Sequence, residues 1–332
     1  MNRRPALGLL LAGIVTTVLM TACAHATQEN AQLTLATWNA SWLMLPETFD
    51  ELAGSCLEKG KRARGNERSI YCDLIPVGRW SDAEIEGLHK FVATIPADVF
   101  ALQETDGPGI AARIFPGRSF CFTGRKDVQN VGFAIRPGIP YRCNADYREL
   151  GLPENDVRWG ADITLYPGTS REIRLLAVHL KSGCHRDPLT SDSPACRKLQ
   201  RQVPILEAWI DARAREGKPF VVLGDFNRRF EQEVGPGRDQ AGNIVAMWPE
   251  LDDGDPAEAD LVNPDVEPPK ESCRQQDPIR TAIDHILLSA TAARAVVPGS
   301  YRMWIYPRGD TGVYWPDHCV RSVTLDLGAL GR

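Results

Sequence analysis

The stretch Pro219-Phe-Val-Val-Leu-Gly-Asp-Phe-Asn227 decides the fold of this 332-residue chain. Its first five residues are apolar or small, which is typical of a buried strand in an α/β sheet. Gly224 allows the backbone to turn where that strand ends. Asp225 and Asn227 stand two residues apart, so their side chains are expected to project from the same face. The stretch therefore predicts a buried strand that ends in a polar site.

Composition limits the class of protein. Hydrophobic residues make up 43% of the chain, which is enough for a large core in one or two domains. The formal net charge is −5. An acidic balance argues weakly against tight, sequence-independent binding to nucleic acid, because such binding usually needs a basic surface. A local basic groove remains compatible with it.

The N-terminus has the pattern of an export signal. A positive segment, Asn2-Arg3-Arg4, precedes the apolar stretch Ala6–Met20, which is short for a membrane span. The sequence Leu19-Met-Thr-Ala-Cys23 resembles a bacterial lipobox, which predicts a lipid anchor on Cys23. The sequence Ala24-His-Ala26 instead fits ordinary secretion, and an uncleaved anchor is the third alternative. Residues 1–26 thus predict an extracytoplasmic protein, located in the periplasm, on the outer membrane or in the medium.

Cysteine usage agrees with export. Cleavage at either predicted site removes Cys23 from the pairing pool and leaves an even set, which predicts disulfides in an oxidising compartment. The simplest hypothesis pairs sequence neighbours: Cys56 with Cys72, Cys121 with Cys143, Cys184 with Cys196, and Cys273 with Cys319. A zinc site is the poorly supported alternative, because the sequence contains no C-x-x-C.

Hydrophobic patterning predicts strands alternating with helices. Strands are expected at 33–37, 98–102, 120–123, 131–136, 141–149, 159–166, 173–180, 219–223, 283–288 and 320–325. Capping-box spacing from Ser81 to Glu84 predicts a helix to about residue 95. A second helix is expected over 194–216, shortened or kinked at Pro204. Residues 43–80 and 228–279 are expected to be mostly irregular. This order predicts a sheet-rich α/β sandwich.

Polar residues stand at or just beyond the ends of several predicted strands. They are Asn39, Glu104, His179, Asp225, Asn227, Asp284, Asp317 and His318. Because strand ends converge in α/β proteins, these residues are expected to form one site. Carboxylate oxygens suit Mg²⁺, and a His-Asp pair suits proton transfer. The residue types therefore indicate metal-assisted chemistry at a phosphoester.

Six short motifs occur in the order typical of one enzyme family. They are Thr37-Trp-Asn39, Gln103-Glu104, His179-Leu-Lys-Ser182, Gly224-Asp-Phe-Asn227, Ile283-Asp-His-Ile286 and Asp317-His318. In this order the chain resembles the endonuclease/exonuclease/phosphatase superfamily over residues 33–326. The resemblance implies a four-layer α/β sandwich of two mixed β-sheets flanked by helices. It also implies a single catalytic domain over residues 27–332.

The resemblance assigns expected roles to the motif residues. Asn39, Glu104 and Asp317 are expected to approach Mg²⁺, with Mn²⁺ as a substitute. His318 is expected to act as a general base or a phosphate-activating imidazole, oriented by Asp317. His179 is expected to contact the phosphate or assist the leaving group, and Asp284 to orient His179. Asp225 is expected to orient the attacking water, and Asn227 to hold a phosphate oxygen.

Further basic and polar residues are candidates for substrate binding. Arg158 starts a predicted strand, Lys181 and Ser182 follow His179, and Arg228 follows Asn227. The favoured activity is that of a metal-dependent nuclease or phosphodiesterase acting on nucleic acid. A phosphomonoesterase or lipid phosphoesterase, and a non-catalytic binding protein, are the alternatives. The sequence does not distinguish DNA, RNA, small and lipid substrates, and it indicates no protein partner.

Overall fold

The computed structural model describes residues 31–56, 62–65, 68–73, 79–256, 259–265, 269–275, 277–309 and 311–330. The predicted export signal, including Cys23, lies outside these residues. Among the helices that are described, none is long and apolar enough to cross a membrane.

Fourteen strands and six α-helices are found in the described residues. The strands are β1 (Gln32–Leu43), β2 (Arg62–Gly65), β3 (Arg68–Tyr71), β4 (Val99–Thr105), β5 (Ser119–Phe122), β6 (Asn130–Ile135), β7 (Tyr141–Cys143), β8 (Ala161–Leu165), β9 (Ile173–His179), β10 (Phe220–Asp225), β11 (Leu261–Val262), β12 (Asp284–Ser289), β13 (Arg302–Trp304) and β14 (Val320–Asp326). The helices are α1 (Pro46–Ala53), α2 (Asp82–Ala93), α3 (Pro108–Ile114), α4 (Pro194–Arg215), α5 (Trp248–Leu251) and α6 (Ala290–Ala293).

Two mixed six-stranded sheets form the centre of the molecule. The first has the order β13-β14-β1-β4-β6-β5 and the second β11-β12-β10-β9-β8-β7. Each sheet contains one parallel pair, β1 with β4 and β9 with β10, and antiparallel strands outside it. Because β12 and β14 run against their neighbours, they begin at the edge where the parallel strands end. That edge collects the polar motif residues.

Alternating side chains explain the layers. On β1, Leu33 and Leu35 pack in the core shared by strands of both sheets, whereas Ala36 and Trp38 pack with residues of α2 and α3. The outer face of the second sheet packs on α4 through residues such as Leu199 and Val203. The predicted four-layer α/β sandwich is therefore confirmed.

Local signals explain several element boundaries. Ser81 and Glu84 form the predicted capping box of α2, with each side chain accepting from the other's backbone N–H. Helix α4 contains Pro204 and continues to Arg215, so the expected shortening does not occur. Strand β7 ends at Cys143 rather than at 149, and the next residues, Asn-Ala-Asp, are types that are rare in strands.

The segment expected to be irregular contains short ordered elements. Helix α1 begins at Pro46, a residue that is favoured in the first helical turn, and β2 and β3 form a hairpin. The disulfide between Cys56 and Cys72 joins this region. All four predicted cysteine pairs are present as disulfides in the structure, which confirms the neighbour hypothesis.

Candidate active site

Asp225 occupies the centre of a polar cluster because of its place in the second sheet. Strand β10 lies between β9 and β12, and Asp225 pairs in register with His179 on one side and Asp284 on the other. A side chain added at Gly224, where φ is +148°, would place its Cβ 2.0 Å from the Val178 carbonyl oxygen. Glycine is therefore required for close approach to β9, and the predicted turn is replaced by a strand that continues to Asp225.

Both sheets contribute hydrogen bonds to Asp225. Asn39 Nδ2, on the first sheet, donates to Asp225 Oδ2 at 3.0 Å. The backbone N–H of Asn227 donates to Oδ1 at 2.8 Å, and Asn227 Nδ2 donates to the Leu180 carbonyl at 3.1 Å. Burial, followed by repulsion from Asp284, raises the pKa of Asp225 to about 7. This carboxylate can therefore exchange a proton near neutral pH.

Glu104 is the half-buried carboxylate that the first sheet contributes to the site. Its Oε2 accepts from the backbone N–H of Trp42 at 3.1 Å, and its Oε1 lies 3.6 Å from His179 Nε2. Burial raises the pKa of Glu104, although His318 and Arg158 act in the opposite direction. Glu104 has a φ of +53°, a region that non-glycine residues rarely adopt. Such conformations are concentrated at functional sites.

His318 and Asp284 form the hydrogen-bonded histidine–carboxylate pair of the site. His318 Nδ1 lies 2.8 Å and 3.0 Å from the two Asp284 oxygens. The expectation that Asp284 orients His179 is wrong, because β10 separates β12 from β9 and places Asp225 between them. Burial acts to lower the pKa of His318, but Asp284 outweighs it and the pKa lies well above its usual value.

Asp317 faces a different partner from the one expected. Its Oδ1 accepts from the Ser41 hydroxyl at 2.7 Å, so His318 is oriented by Asp284 instead. Burial acts to raise the pKa of Asp317, but His318 and the Ser41 hydrogen bond outweigh it and lower the pKa. Ser41, with a φ of +50°, was missed in the sequence. The sequence feature that could have indicated Ser41 is its position two residues beyond Asn39, because this spacing puts both side chains near the same strand end.

Tyr306 is a second contributor that the sequence did not indicate. Its hydroxyl donates to the His318 carbonyl at 2.7 Å and accepts from Trp38 Nε1 at 2.8 Å. The Tyr306 ring is buried and stacks on Trp315. Tyr314, in contrast, is exposed. Tyr306 holds the backbone of His318 in place.

His179 lies in an environment opposite to that of His318. Its Nε2 is 3.5 Å from Asp225 Oδ2, and among the described residues its buried Nδ1 has no hydrogen-bond partner. Burial, followed by the charge of Arg158, lowers the pKa of His179 well below its usual value. Burial and neighbouring positive charge therefore favour the neutral form of His179.

The four candidate substrate residues divide into two groups. Arg158 is buried beside the site and donates to the carbonyls of His179 and Leu180, while Lys181 Nζ donates to the Ser182 carbonyl at 2.7 Å. Both Lys181 and Ser182 are half-buried. Burial lowers the pKa of Arg158 to about 10, and the nearby Glu104 and Asp225 oppose this shift. These three residues adjoin the site.

Arg228 is the exception, and its expected substrate contact is wrong. The side chain is buried, with Nη1 donating to the carbonyls of Cys184 at 2.6 Å and Asp187 at 2.8 Å. Arg228 Nε donates to Glu233 at 2.8 Å. Because these partners occupy the guanidinium, Arg228 stabilises the loop beyond Asn227.

The carboxylates offer ligand atoms for a metal ion. Asp225, Asp284 and His318 present atoms that all lie within 4.8 Å of one another. This group shares no residue with Asn39, Glu104 and Asp317, which the sequence predicts to approach the metal. Glu104 is half-buried and Asp225 is buried, and burial raises the pKa of both carboxylates. A divalent cation would relieve the cost of ionising such groups, so the donor chemistry fits a hard cation.

Comparison with known proteins identifies the fold and the family. The sequence profile of the Endonuclease/Exonuclease/phosphatase family matches residues 36–305.

Solved structures of similar fold have low sequence identity to this chain. The catalytic domain of human Nocturnin is 14% identical; the match covers 89% of this chain and 94% of that chain, with a TM-score of 0.52. The 3′ phosphatase NExo from Neisseria is 16% identical; the match covers 89% of this chain and 99% of that chain, with a TM-score of 0.51. D. rerio TDP2 humanized by 14 mutations is 16% identical; the match covers 89% of this chain and 98% of that chain, with a TM-score of 0.50. These identities support the shared fold alone. No curated protein matches the chain significantly.

Proposed function

The chain belongs to the Endonuclease/Exonuclease/phosphatase family, and we propose that it is a metal-dependent nuclease or phosphodiesterase. The observation that carries the proposal is the convergence of both sheets on Asp225, beside the His318–Asp284 pair at 2.8 Å. A phosphoester site needs a positioned water, donors for phosphate oxygens and neutralisation of developing charge. The residues at this edge of the sandwich supply all three kinds of group.

Mg²⁺ is the cofactor that fits the site best, and Mn²⁺ is the alternative. We assign Asn39, Glu104 and Asp317 to its surroundings, since their oxygens suit a hard cation and burial raises the pKa of the Glu104 carboxylate. When bound, such an ion polarises a phosphoryl oxygen and offsets negative charge. The group of Asp225, Asp284 and His318 is a competing location for the ion.

The two histidines and Asp225 divide the proton chemistry. Asp225, with a pKa of about 7, orients the attacking water and can take its proton at neutral pH. His318 holds a proton against Asp284, so it acts as a phosphate-activating imidazolium rather than as the resting general base. His179 and Asn227 contact phosphate oxygens, and Arg158, Lys181 and Ser182 complete the substrate surface.

Nucleic acid is the favoured substrate class. D. rerio TDP2 has been solved with a single strand DNA product, and Neisseria NExo with a product DNA hairpin. By likeness of fold, this chain is proposed to accept a phosphodiester strand at the same edge. A phosphomonoesterase or a lipid phosphoesterase of the same fold is the second candidate, and the exposed Tyr314 suits either a base or a lipid.

The test uses protein from Ala24 onward and its His318→Ala variant. Plasmid DNA, RNA, a bis-phosphodiester reporter, a phosphomonoester and sphingomyelin are each incubated with Mg²⁺ or Mn²⁺, and with EDTA. Metal-dependent cutting of nucleic acid by the wild type alone supports the proposal. Turnover of small or lipid esters with nucleic acid untouched favours the second candidate. No turnover of any substrate would revive a non-catalytic binding protein.

We further propose that residues 27–332 form one extracytoplasmic catalytic domain. The support is the set of four disulfides, which persist in oxidising compartments. Export by residues 1–26 places it in the periplasm, on the outer membrane through a lipid on Cys23, or in the medium. Labelling cells with a palmitate analogue, in the wild type and in Cys23→Ala, distinguishes the lipoprotein from a freely secreted protein.

A further inference from the structure

A pocket of about 200 Å³ opens beside the catalytic pair. Asp284, Asp317 and His318 line it, together with arginines from three segments of the chain: Arg229, Arg274, Arg280 and Arg321. Its volume is below the roughly 300 Å³ at which pockets begin to take a whole drug-sized ligand. The pocket is therefore suited to one group of a larger substrate whose reacting part lies at His318.

The acidic residues of this pocket already have partners. Asp277 accepts from Arg274 Nε at 2.7 Å, and Asp284 accepts from His318. Asp317 accepts from Ser41. On the outer rim, Glu271 pairs with Arg308 at 3.2 Å. The carboxylates of the pocket therefore pair with groups other than Arg229 and Arg280.

Arg229 and Arg280 are cations without an acidic partner in the part of the chain that the structure describes. Arg229 is more than nine-tenths buried, and its Nη1 donates to the carbonyl and hydroxyl of Thr281, which are neutral. Burial, followed by the charge of Arg186, lowers the pKa of Arg229. The charge of Glu231 opposes this shift, and Arg280 adds to it. Burying a guanidinium beside other cations is costly unless an anion compensates it.

Two buried N–H groups also lack acceptors at this pocket. Within the described residues, the Nε atoms of Arg229 and Arg321 are enclosed and have no hydrogen-bond partner. Arg321 Nη1 donates to Asp265 and Tyr301, both at 2.7 Å, and Nη2 donates to Met303 Sδ at 3.6 Å, which leaves Nε as the nitrogen without a partner among the described residues. Buried donors are nearly always satisfied in folded proteins, and a phosphate supplies several strong acceptor oxygens.

We propose that this arginine pocket binds a second phosphate group of the substrate, next to the phosphoester held at His318. The inference rests on the proposed function and narrows it to substrates that carry at least two phosphates. A polynucleotide strand and a small polyphosphorylated ester share this chemistry. Arg229 and Arg280 are the residues that bind the second phosphate.

The kinetic test uses two thymidine esters with the same chromophore. Both are 5′-(p-nitrophenyl) phosphodiesters, and one of them also carries a 3′-phosphate. Wild type is expected to show kcat/KM about tenfold to hundredfold higher for the ester with the 3′-phosphate, as charged hydrogen bonds would give. Arg280→Gln should lose most of this ratio. The exposed Arg294 directly follows α6, at the other end of the second sheet. Its variant Arg294→Gln is the matched control and should retain the ratio.

A second arm identifies the source of the phosphate. A phosphorylated dinucleotide and an inositol bisphosphate are compared on wild type and Arg280→Gln. A loss of rate confined to the dinucleotide indicates a polynucleotide strand, and a loss confined to the inositol ester indicates a small-molecule substrate. Equal ratios for the two thymidine esters in wild type, or an unchanged ratio in Arg280→Gln, would overturn the pocket assignment.

A binding measurement separates this inference from the proposed function. Pyrophosphate in EDTA should raise the melting temperature of wild type and Arg294→Gln, and Arg280→Gln should largely lose the increase, because a ligand of the native state stabilises it. Arg229→Gln is a less direct test, since the buried bonds of Arg229 to Thr281 also support folding.

If no ester is turned over, the proposed function fails, and the melting experiment alone tests whether the pocket binds phosphate. An equal increase in Arg280→Gln and wild type then refutes it.

Discussion

The His179 side and the His318 side of the active site use the same residue type in opposite states. His179 ends β9 with its Nδ1 lacking a partner among the described residues and with Arg158 nearby. His318 precedes β14 and bonds to Asp284 at 2.8 Å. Burial acts to lower the pKa of both imidazoles, yet the pKa is lowered in His179 and raised in His318. Neighbouring charge, rather than burial alone, therefore sets the protonation state.

This contrast is of chemical use. Pairs of titratable groups whose environments push their pKa values apart are how active sites assign proton donors and acceptors. A neutral imidazole can contact a phosphate oxygen or the leaving group without a permanent charge. A charged imidazole can stabilise the developing negative charge. The predictions below test how far each side depends on its own partners.

The largest effect is expected from removing the charged imidazole. His318→Ala should lower kcat about 10³-fold, within the range typical of a group that transfers or stabilises a proton. Steady-state kinetics on a phosphodiester reporter measures this loss, and circular dichroism checks the fold. His89→Ala, on α2 away from the site, is the histidine control. A His318→Ala variant with the full wild-type rate would remove His318 from the proposed chemistry.

A smaller effect is expected at the carboxylate shared by both sides. Glu104→Gln keeps the shape of the side chain but removes its charge, so the Mg²⁺ concentration for half-maximal rate should rise about tenfold or more. Metal titration of the rate measures this change, with the exposed Glu86→Gln as control. EDTA should abolish wild-type activity. Identical titration curves for the two variants would exclude Glu104 as a metal ligand.

Asp284→Asn tests why the two histidines differ. The raised pKa of His318 contributes stability that is present below its unfolded pKa and lost as pH rises through its folded pKa. The lowered pKa of His179 acts oppositely, since its contribution is present above its unfolded pKa and lost as pH falls. Asp284→Asn should therefore lower the pKa of His318 and leave that of His179 below its usual value.

Histidine NMR titration of metal-free protein measures this change directly. Denaturant unfolding across pH should show that the variant has lost the decline in stability at alkaline pH. Asp277→Asn, which removes a carboxylate paired with Arg274, is the matched control. An unchanged His318 titration in Asp284→Asn would mean that another group holds its proton.

The smallest difference is expected between the disulfides that flank the two histidines. Cys184–Cys196 closes 12 residues after His179, whereas Cys273–Cys319 closes 46 residues and adjoins His318. In the chain-entropy model, replacing the second pair by alanines should cost about 1 kcal/mol more unfolding free energy than replacing the first. Urea denaturation of both double variants measures it. Equal losses would contradict the chain-entropy explanation.

Sequence reasoning located most of the site. The motif residues Asn39, Glu104, His179, Asp225 and Asp284 lie at the predicted strand ends, because apolar runs and the polar residues that end them are local features. The cysteine pairing was also predicted from neighbours along the chain, and all four pairs are present. Short elements such as α1 and the β2–β3 hairpin were not predicted, because a segment of so few residues shows little hydrophobic periodicity.

The sequence by itself determined the two-sheet α/β fold and the set of reactive groups. Only the tertiary structure decided which groups meet. Asp225 stands between His179 and Asp284 because β10 lies between β9 and β12, so Asp284 reaches His318 of the other sheet instead. Likewise, Arg228 and Arg229 are neighbours in sequence, but one is buried in a loop and the other lines a pocket. Sheet order and loop packing depend on long-range contacts, which hydrophobic periodicity does not encode.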